Sequence, residues 1–134
     1  MNLEIKFRAW DKTSNVMIRG MQGDWYLRPD GIPVLIDREG DEEQIRDYEI
    51  MQFTGLLDKN GKEIYEGDVL ASKYDKRPFE IIWKDGIGDL QQEVGFWMLN
   101  KFTNSVFMIH QGHINDRKLE IIGNIYESPE LLNN

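Results

Sequence analysis

The segment that decides the fold is MQFTGLLDKNGKEIYEGDVLAS, residues 51–72, which contains three short apolar strands separated by two turns. Asn60-Gly61 lies between the first two strands, and this dipeptide is typical of a hairpin with a type I′ turn. Gly67-Asp68 indicates a second reversal, where glycine adopts positive φ and the aspartate accepts backbone N–H bonds. The segment therefore predicts consecutive antiparallel strands held by these four turn residues.

The same pattern of strands and turns continues toward the C-terminus. Apolar runs at residues 79–84, 96–99, 106–109 and 119–126 are each bounded by Gly, Asp, Asn or Pro, as in small sandwiches and barrels. Gly123 lies inside the last run and predicts a bulge or a barrel corner. Ser128 followed by Pro129 predicts a one-turn helical cap.

The C-terminal part is therefore expected to be a small antiparallel barrel with a short cap, spanning residues 51–134. We expect this barrel to be closed or nearly closed between Tyr65 and Tyr126. A Glu-Gly-Asp turn that enters an apolar strand, as at residues 66–68, is familiar from SH3-like barrels. That comparison concerns the fold only and carries no function.

The first fifty residues also have strand patterns. Residues 5–10 alternate between apolar and polar side chains with period 2, and shorter apolar runs follow at 16–18, 25–27 and 34–36. Residues 42–47 are predicted as a short helix. We expect residues 1–50 to form an N-terminal β-rich subdomain that packs on the barrel, which makes the protein mainly β, or α+β at most.

Charge and composition exclude several functions. The 134 residues contain 16 Lys and Arg against 24 Asp and Glu, which gives a net charge of −8. Because binding to nucleic acid of any sequence requires a positive surface, nucleic acid is an improbable partner. The absence of cysteine excludes disulfides, thiolate metal sites and cysteine nucleophiles. Since no apolar run approaches the ~20 residues of a membrane span, we expect no membrane association.

The acidic residues are concentrated in residues 37–49. This acidic segment contains seven carboxylates and two arginines, a net charge of −5. A solvated loop or an exposed short helix explains such a segment. A surface that mimics DNA, or a docking site for a basic partner, are the alternatives.

Few residues are arranged for catalysis. His110, His113 and Asp116 have the three-residue spacing that would align them on a helix as metal ligands, but Gly112 favours a loop with two exposed histidines. Glu66 and Asp68 flank a turn that we expect to be solvated, and water would prevent the pKa separation that a general acid needs. We therefore expect no catalytic residues, no metal and no cofactor.

Adjacent aromatic residues indicate an interaction surface. Neighbours on a strand point to opposite faces, so Trp25-Tyr26 and Phe96-Trp97 each place one large ring on an outer face. An outer ring packs against a second layer, a partner chain or a ligand. Together with the acidic segment, this pattern gives five candidate interaction residues: Trp25, Tyr26, Trp97, Glu42 and Glu43.

Three blocks of the sequence resemble the signature blocks of the YopX family, whose members are encoded by bacteriophages and prophages. The blocks are KFRAWD at residues 6–11, MQFTGL with DKNGKEIYEGD at residues 51–68, and IIGNIYE with PELL at residues 121–132. They occur in the expected order and frame nearly the whole chain. The segments 16–47 and 72–118 match little.

The resemblance implies a mostly β fold with an SH3-like component and a location in the cytoplasm of the bacterial host. It implies no activity and no catalytic residues. We therefore expect a non-catalytic accessory protein that binds a protein partner of the host or phage, or that self-associates. The alternatives are a small metal-dependent hydrolase or nucleotide-binding enzyme, and an acidic DNA mimic or nucleic-acid-contacting barrel.

Overall fold

The computed structural model describes residues 5–19, 25–74, 77–84, 95–100 and 103–132. The chain divides into two compact units, Lys6–Gln52 and Phe53–Asn134 together with Met1–Ile5. The predicted subdomains, residues 1–50 and 51–134, and the packing of one on the other stay predictions. Strand content is 53% and helix content is 10%, so the mainly β class is confirmed.

Among its described residues, the first unit contains five strands and the first half of a sixth. They are β1 (Phe7–Asp11), β2 (Val16–Ile18), β3 (Trp25–Leu27), β4 (Pro33–Ile36), β5 (Glu42–Gln44) and β6 (Tyr48–Leu57). Strand β1 pairs antiparallel with β2 and with the first half of the long strand β6. A separate three-stranded sheet has the order β3-β4-β5.

The helix predicted at residues 42–47 is wrong, because this segment contains β5. The register places Glu42 opposite Ile36 and Glu43 opposite Leu35. The backbone N–H of Ile45 continues the pairing by donating to the carbonyl of Pro33 at 3.0 Å, and the Ile45 side chain is buried. A single buried residue gives no apolar stripe of helical period, so hydrogen bonding to β4 decides the conformation.

The described elements of the second unit are β7 (Glu63–Tyr65), β8 (Asp68–Ser72), β9 (Phe79–Lys84), β10 (Gly95–Asn100), β11 (Ser105–Met108), helix α1 (Gln111–Arg117), β12 (Leu119–Asn124) and a 3₁₀ helix (Pro129–Leu132). The unit is built on a curled five-stranded sheet with the order β11-β10-β9-β8-β12. Strand β7 pairs with the second half of β6.

The sheet forms a half-barrel, which is more open than the closed or nearly closed barrel expected between Tyr65 and Tyr126. Within the described residues β11 and β12 remain the two edges of the sheet. A core of buried side chains lies in this unit: Ile64, Leu70, Phe79, Ile81, Met98, Ile109, Ile114 and Leu119. The SH3-like character of the sheet stays a prediction.

Residues 111–117 are helical, so the loop predicted there is wrong for His113, whereas His110 lies just before the helix. Ile114 in α1 is fully buried in the core, which outweighs the low helix propensity of Gly112. The Gln111 side chain donates to the carbonyl oxygen of Leu57 at 2.7 Å and accepts from the Leu57 N–H at 3.0 Å. Lys118, in the left-handed conformation at φ 53°, ends the helix. No helix in the described part of the chain is long and apolar enough to cross a membrane.

Candidate functional site

The β4–β5 hairpin is fixed by the first residue of the acidic segment. Oδ1 of Asp37 accepts hydrogen bonds from the N–H groups of Glu39 at 2.9 Å and Asp41 at 2.8 Å. The N–H of Gly40 donates to the Asp37 carbonyl at 3.1 Å, and Gly40 has φ 86°. This is a type I turn followed by a left-handed glycine, which closes a three-residue hairpin loop.

The hairpin displays a run of exposed negative charge. All residues from Asp37 to Gln44 are exposed, and they include five carboxylates against Arg38 alone. Within the described residues, no salt bridge neutralises Asp37, Glu39, Asp41 or Glu43. The charge therefore remains available to a positively charged partner.

Two of the five candidate interaction residues are in direct contact. The Tyr26 hydroxyl donates a hydrogen bond to Oε2 of Glu42 at 3.0 Å, across the three-stranded sheet. This bond is the main cause that raises the pKa of Tyr26 above its usual value of 10.0. Tyr26 is 38% exposed, so its ring forms an apolar margin beside the carboxylates. We call Tyr26 and residues 37–44 the acidic face, a name that includes side chains on both sides of β5, since Glu42 and Glu43 point in opposite directions.

The other three candidates occupy different positions. Trp25 is buried, and the register places it in one row with Leu35 and the exposed Glu43. Trp97 lies in β10 of the second unit and is also buried, and its Nε1 has no hydrogen-bond partner there. In each adjacent aromatic pair the tryptophan is buried. Tyr26 is therefore the exposed aromatic residue among the candidates.

The described residues contain one group of three potential metal ligands. Ligand oxygens of Asp37, Glu39 and Asp41 lie within 4.8 Å of one another, and all three residues are exposed. Oδ1 of Asp37 already accepts two backbone hydrogen bonds, so the group has a structural role in the turn. His110 is the N-cap of α1 and His113 lies within the helix, and they form no such group with Asp116 among the described residues.

The turn at Asn60-Gly61 differs in type from the turn predicted there. Gly61 has φ 81°, but Asn60 does not have positive φ, so the predicted type I′ turn is wrong. Instead, the N–H of Gly61 donates to the carbonyl of Asp58 at 3.0 Å, in the same three-residue loop as the β4–β5 hairpin. Asp58 was not among the predicted turn residues.

Asp58 is the principal structural residue that the sequence reasoning missed. Its buried Oδ1 accepts from the N–H groups of Asn60 at 2.8 Å and Lys62 at 2.9 Å. Its Oδ2 accepts from the N–H of Ile121 at 3.0 Å, which links the hairpin to β12. An aspartate three residues before a glycine was the available signal, since this spacing closes a type I turn.

The turn before β8 and the end of β12 have tight geometry. The buried Asp68 carboxylate accepts from the N–H of Tyr65 at 2.7 Å, and Gly67 has φ 88°. A register shift between Ile121 and Gly123 marks a bulge in β12. A Cβ on Gly123 would lie 2.6 Å from Cδ1 of Leu131, so the 3₁₀ helix packs where a side chain would be.

The fold and the acidic face define a small β-rich protein with a half-barrel and one strongly acidic sheet edge. The YopX protein family model matches residues 6–133. The chain therefore belongs to the YopX family, and the resemblance seen in the sequence is confirmed.

Two solved structures are similar along nearly their whole length. Protein EF1440 from Enterococcus faecalis is 32% identical with a TM-score of 0.64, and the match covers 98% of this chain and 100% of that chain. Protein yopX from Bacillus subtilis is 18% identical with a TM-score of 0.57, covering 95% and 97% of the two chains. No curated protein matches. These similarities establish family and fold, and neither relative's name states an activity.

Proposed function

We propose that this protein is a non-catalytic accessory module that binds a basic partner protein through its acidic face. On this proposal it is encoded by a phage or prophage and acts in the cytoplasm of the bacterial host. The observation that carries the proposal is the exposed run from Asp37 to Gln44 beside the Tyr26–Glu42 pair.

The arrangement suits protein recognition for two reasons. Carboxylates without intramolecular ion pairs keep their full field, which steers a basic partner and selects against acidic ones. The Tyr26 ring adds a rigid contact with few rotamers to lose, and tyrosine is enriched in binding surfaces. Because Glu42 holds the Tyr26 hydroxyl, the ring is already oriented before a partner arrives.

The location on an edge strand has a structural explanation as well. Acidic residues on β5 prevent unwanted pairing with other sheets, as edge strands commonly require. Protection of the edge needs charge but no particular partner. The binding proposal therefore requires an experiment that distinguishes specific capture from solubility.

The test is affinity capture from a lysate of the bacterium that carries the gene, followed by mass spectrometry. The variant E42Q/E43Q removes two charges from the acidic face, and D116N/E130Q removes two exposed charges from the second unit. Each exposed ion pair contributes ~0.2–1 kcal/mol. Because E42Q/E43Q removes two such pairs with the partner, we expect it to weaken capture by about 2-fold to about 30-fold. D116N/E130Q should bind like the parent.

The outcomes separate the alternatives. Binding to a basic protein should weaken as salt rises, because screening shortens the range of the interaction. Capture that both variants lose equally would contradict the proposal, since net charge alone would then decide it. A captured protein that duplex DNA displaces would support the DNA-mimic alternative.

A further inference from the structure

Strand β11 is an edge strand without the features that usually block such edges. Residues Ser105–Met108 read SVFM and contain no charge and no proline. By contrast, the edge strand β5 carries two glutamates, and the edge strand β12 has a bulge. Charged residues, prolines and bulges are the common means of preventing edge-to-edge pairing. Among the described residues, no strand covers the outer edge of β11, so this edge can accept another strand.

The register with β10 shows which backbone groups face outward. The N–H of Ile109 donates to the carbonyl of Phe96 across the β10–β11 ladder. Because such pairs alternate in an antiparallel ladder, the backbone of Phe107 also points to β10, whereas Val106 and Met108 point away from it. Within the described residues, β11 pairs with no strand other than β10.

The side chain of Phe107 makes this edge apolar. Phe107 is 42% exposed, although its ring lies 6.3 Å from that of the buried Phe79 in an edge-to-face arrangement. A partner that pairs with the outward backbone groups would also cover this ring. The occupant must therefore offer both a free strand edge and an apolar side chain.

We propose that a second copy of this chain pairs with β11 in antiparallel orientation, forming a two-fold symmetric dimer. With the axis at Phe107, Val106 of each copy lies opposite Met108 of the other. This register gives the outward N–H and C=O groups of both residues hydrogen-bonding partners. It also places the two Phe107 residues directly opposite each other in a non-hydrogen-bonded pair, where side chains approach most closely.

Self-complementarity is the reason for choosing a second copy over another peptide. The register that pairs the outward groups of Val106 with those of Met108 is also the register that places both exposed Phe107 rings opposite each other. A two-fold interface is closed, because pairing uses the β11 edge of both copies. This inference is independent of the acidic face, which lies in the other unit.

Salt separates the two interactions. Each copy has a net charge of −8, so two copies repel each other, and screening by salt should favour dimerisation. Binding of a basic protein to the acidic face should respond in the opposite direction. Failure of one proposal is thus distinguishable from failure of the other.

The first test is sedimentation over a range of protein and salt concentrations. We expect a concentration-dependent dimer that strengthens with salt. F107K places like charges opposite each other, and V106P removes an outward N–H while leaving the bonds to β10 in place, so both variants should remain monomeric. I122K changes a residue of similar exposure on the opposite edge strand and should dimerise like the parent.

The second test uses the absence of cysteine from the chain. In the proposed dimer the two Cα atoms at position 107 are about 4.5 Å apart, within the roughly 4.4–6.8 Å range of disulfides. Under mild oxidation F107C should cross-link at least about tenfold faster than I122C, because pairing raises the effective concentration of the two thiols. Equal rates, assemblies larger than dimers, or dimerisation of folded F107K would overturn the proposal.

Discussion

Replacement of Asp58 by alanine should destabilise the protein far more than the same change at Asp37. Both carboxylates accept two backbone N–H bonds in turns of the same type. Asp37 is exposed, whereas Asp58 is only 4% exposed and binds the N–H of Ile121 in addition. The two positions are therefore a matched pair that differs in burial and in one long-range hydrogen bond.

The magnitude follows from the fate of each donor. Loss of the turn bonds resembles the loss of a capping residue, about 1 kcal/mol, because water replaces the carboxylate at exposed N–H groups. D37A should therefore cost about 1 kcal/mol. In D58A the half-buried N–H of Ile121 also loses its acceptor, which adds about 1–3 kcal/mol. The total for D58A is about 2–4 kcal/mol, a large part of the ~5–15 kcal/mol by which domains are stable.

Urea unfolding followed by far-ultraviolet circular dichroism measures this difference. D58N serves as an intermediate control, since its single oxygen retains the turn bonds but its NH₂ group cannot accept from Ile121. We expect the order parent, D37A, D58N, D58A in decreasing midpoint. If D58A and D37A lose equal free energy, the bond to Ile121 contributes nothing, and the assigned role of Asp58 as a link between hairpin and β12 is refuted.

Three further predictions concern the turns and the acidic face. D68A should lose about 1–3 kcal/mol, measured by thermal melts, because the carboxylate fixing the turn before β8 is buried; an unchanged melt with lost partner binding would make this turn a binding site. G123A should lower stability because its Cβ would lie 2.6 Å from Cδ1 of Leu131 and 2.9 Å from Oγ of Ser128. In a double-mutant cycle G123A should cost less in the L131A background, and an equal cost in both backgrounds would contradict a clash with Leu131. E42Q should lower the pKa of Tyr26 toward 10.0 in an ultraviolet titration at 295 nm, since the bond to the Glu42 carboxylate raises it. The pKa of Tyr26 is higher in the folded protein than in the unfolded chain. The Tyr26–Glu42 bond therefore stabilises the fold at pH values below the unfolded pKa of Tyr26, and this stabilisation is lost as the pH rises through the folded pKa.

Local sequence patterns predicted most strand positions. Alternating or apolar runs between turn residues correspond to β1, β6 and β8–β12 in the structure. Gly61 and Gly67 adopt positive φ, and Gly123 lies at a bulge. These features depend on backbone preferences within a few residues, which a single sequence contains.

The errors occurred where distant residues decide the conformation. Residues 42–44 form a strand because β4 offers hydrogen-bonding partners. Residues 111–117 form a helix because Ile114 enters the core and Gln111 binds Leu57, 54 residues away. Local propensity is small compared with such tertiary contacts, so it gave the wrong element in both places.

The sequence by itself determined the mainly β class, the YopX family, the turn glycines and the concentration of negative charge in residues 37–49. Only the tertiary structure decided that Asp58 is buried, that Tyr26 rather than Trp25 is exposed, and that β11 is an edge strand among the described residues. The physical reason is that turns and alternation arise from neighbouring residues. Burial and strand order arise from contacts between residues far apart in the chain, as between Asp58 and Ile121, 63 positions apart.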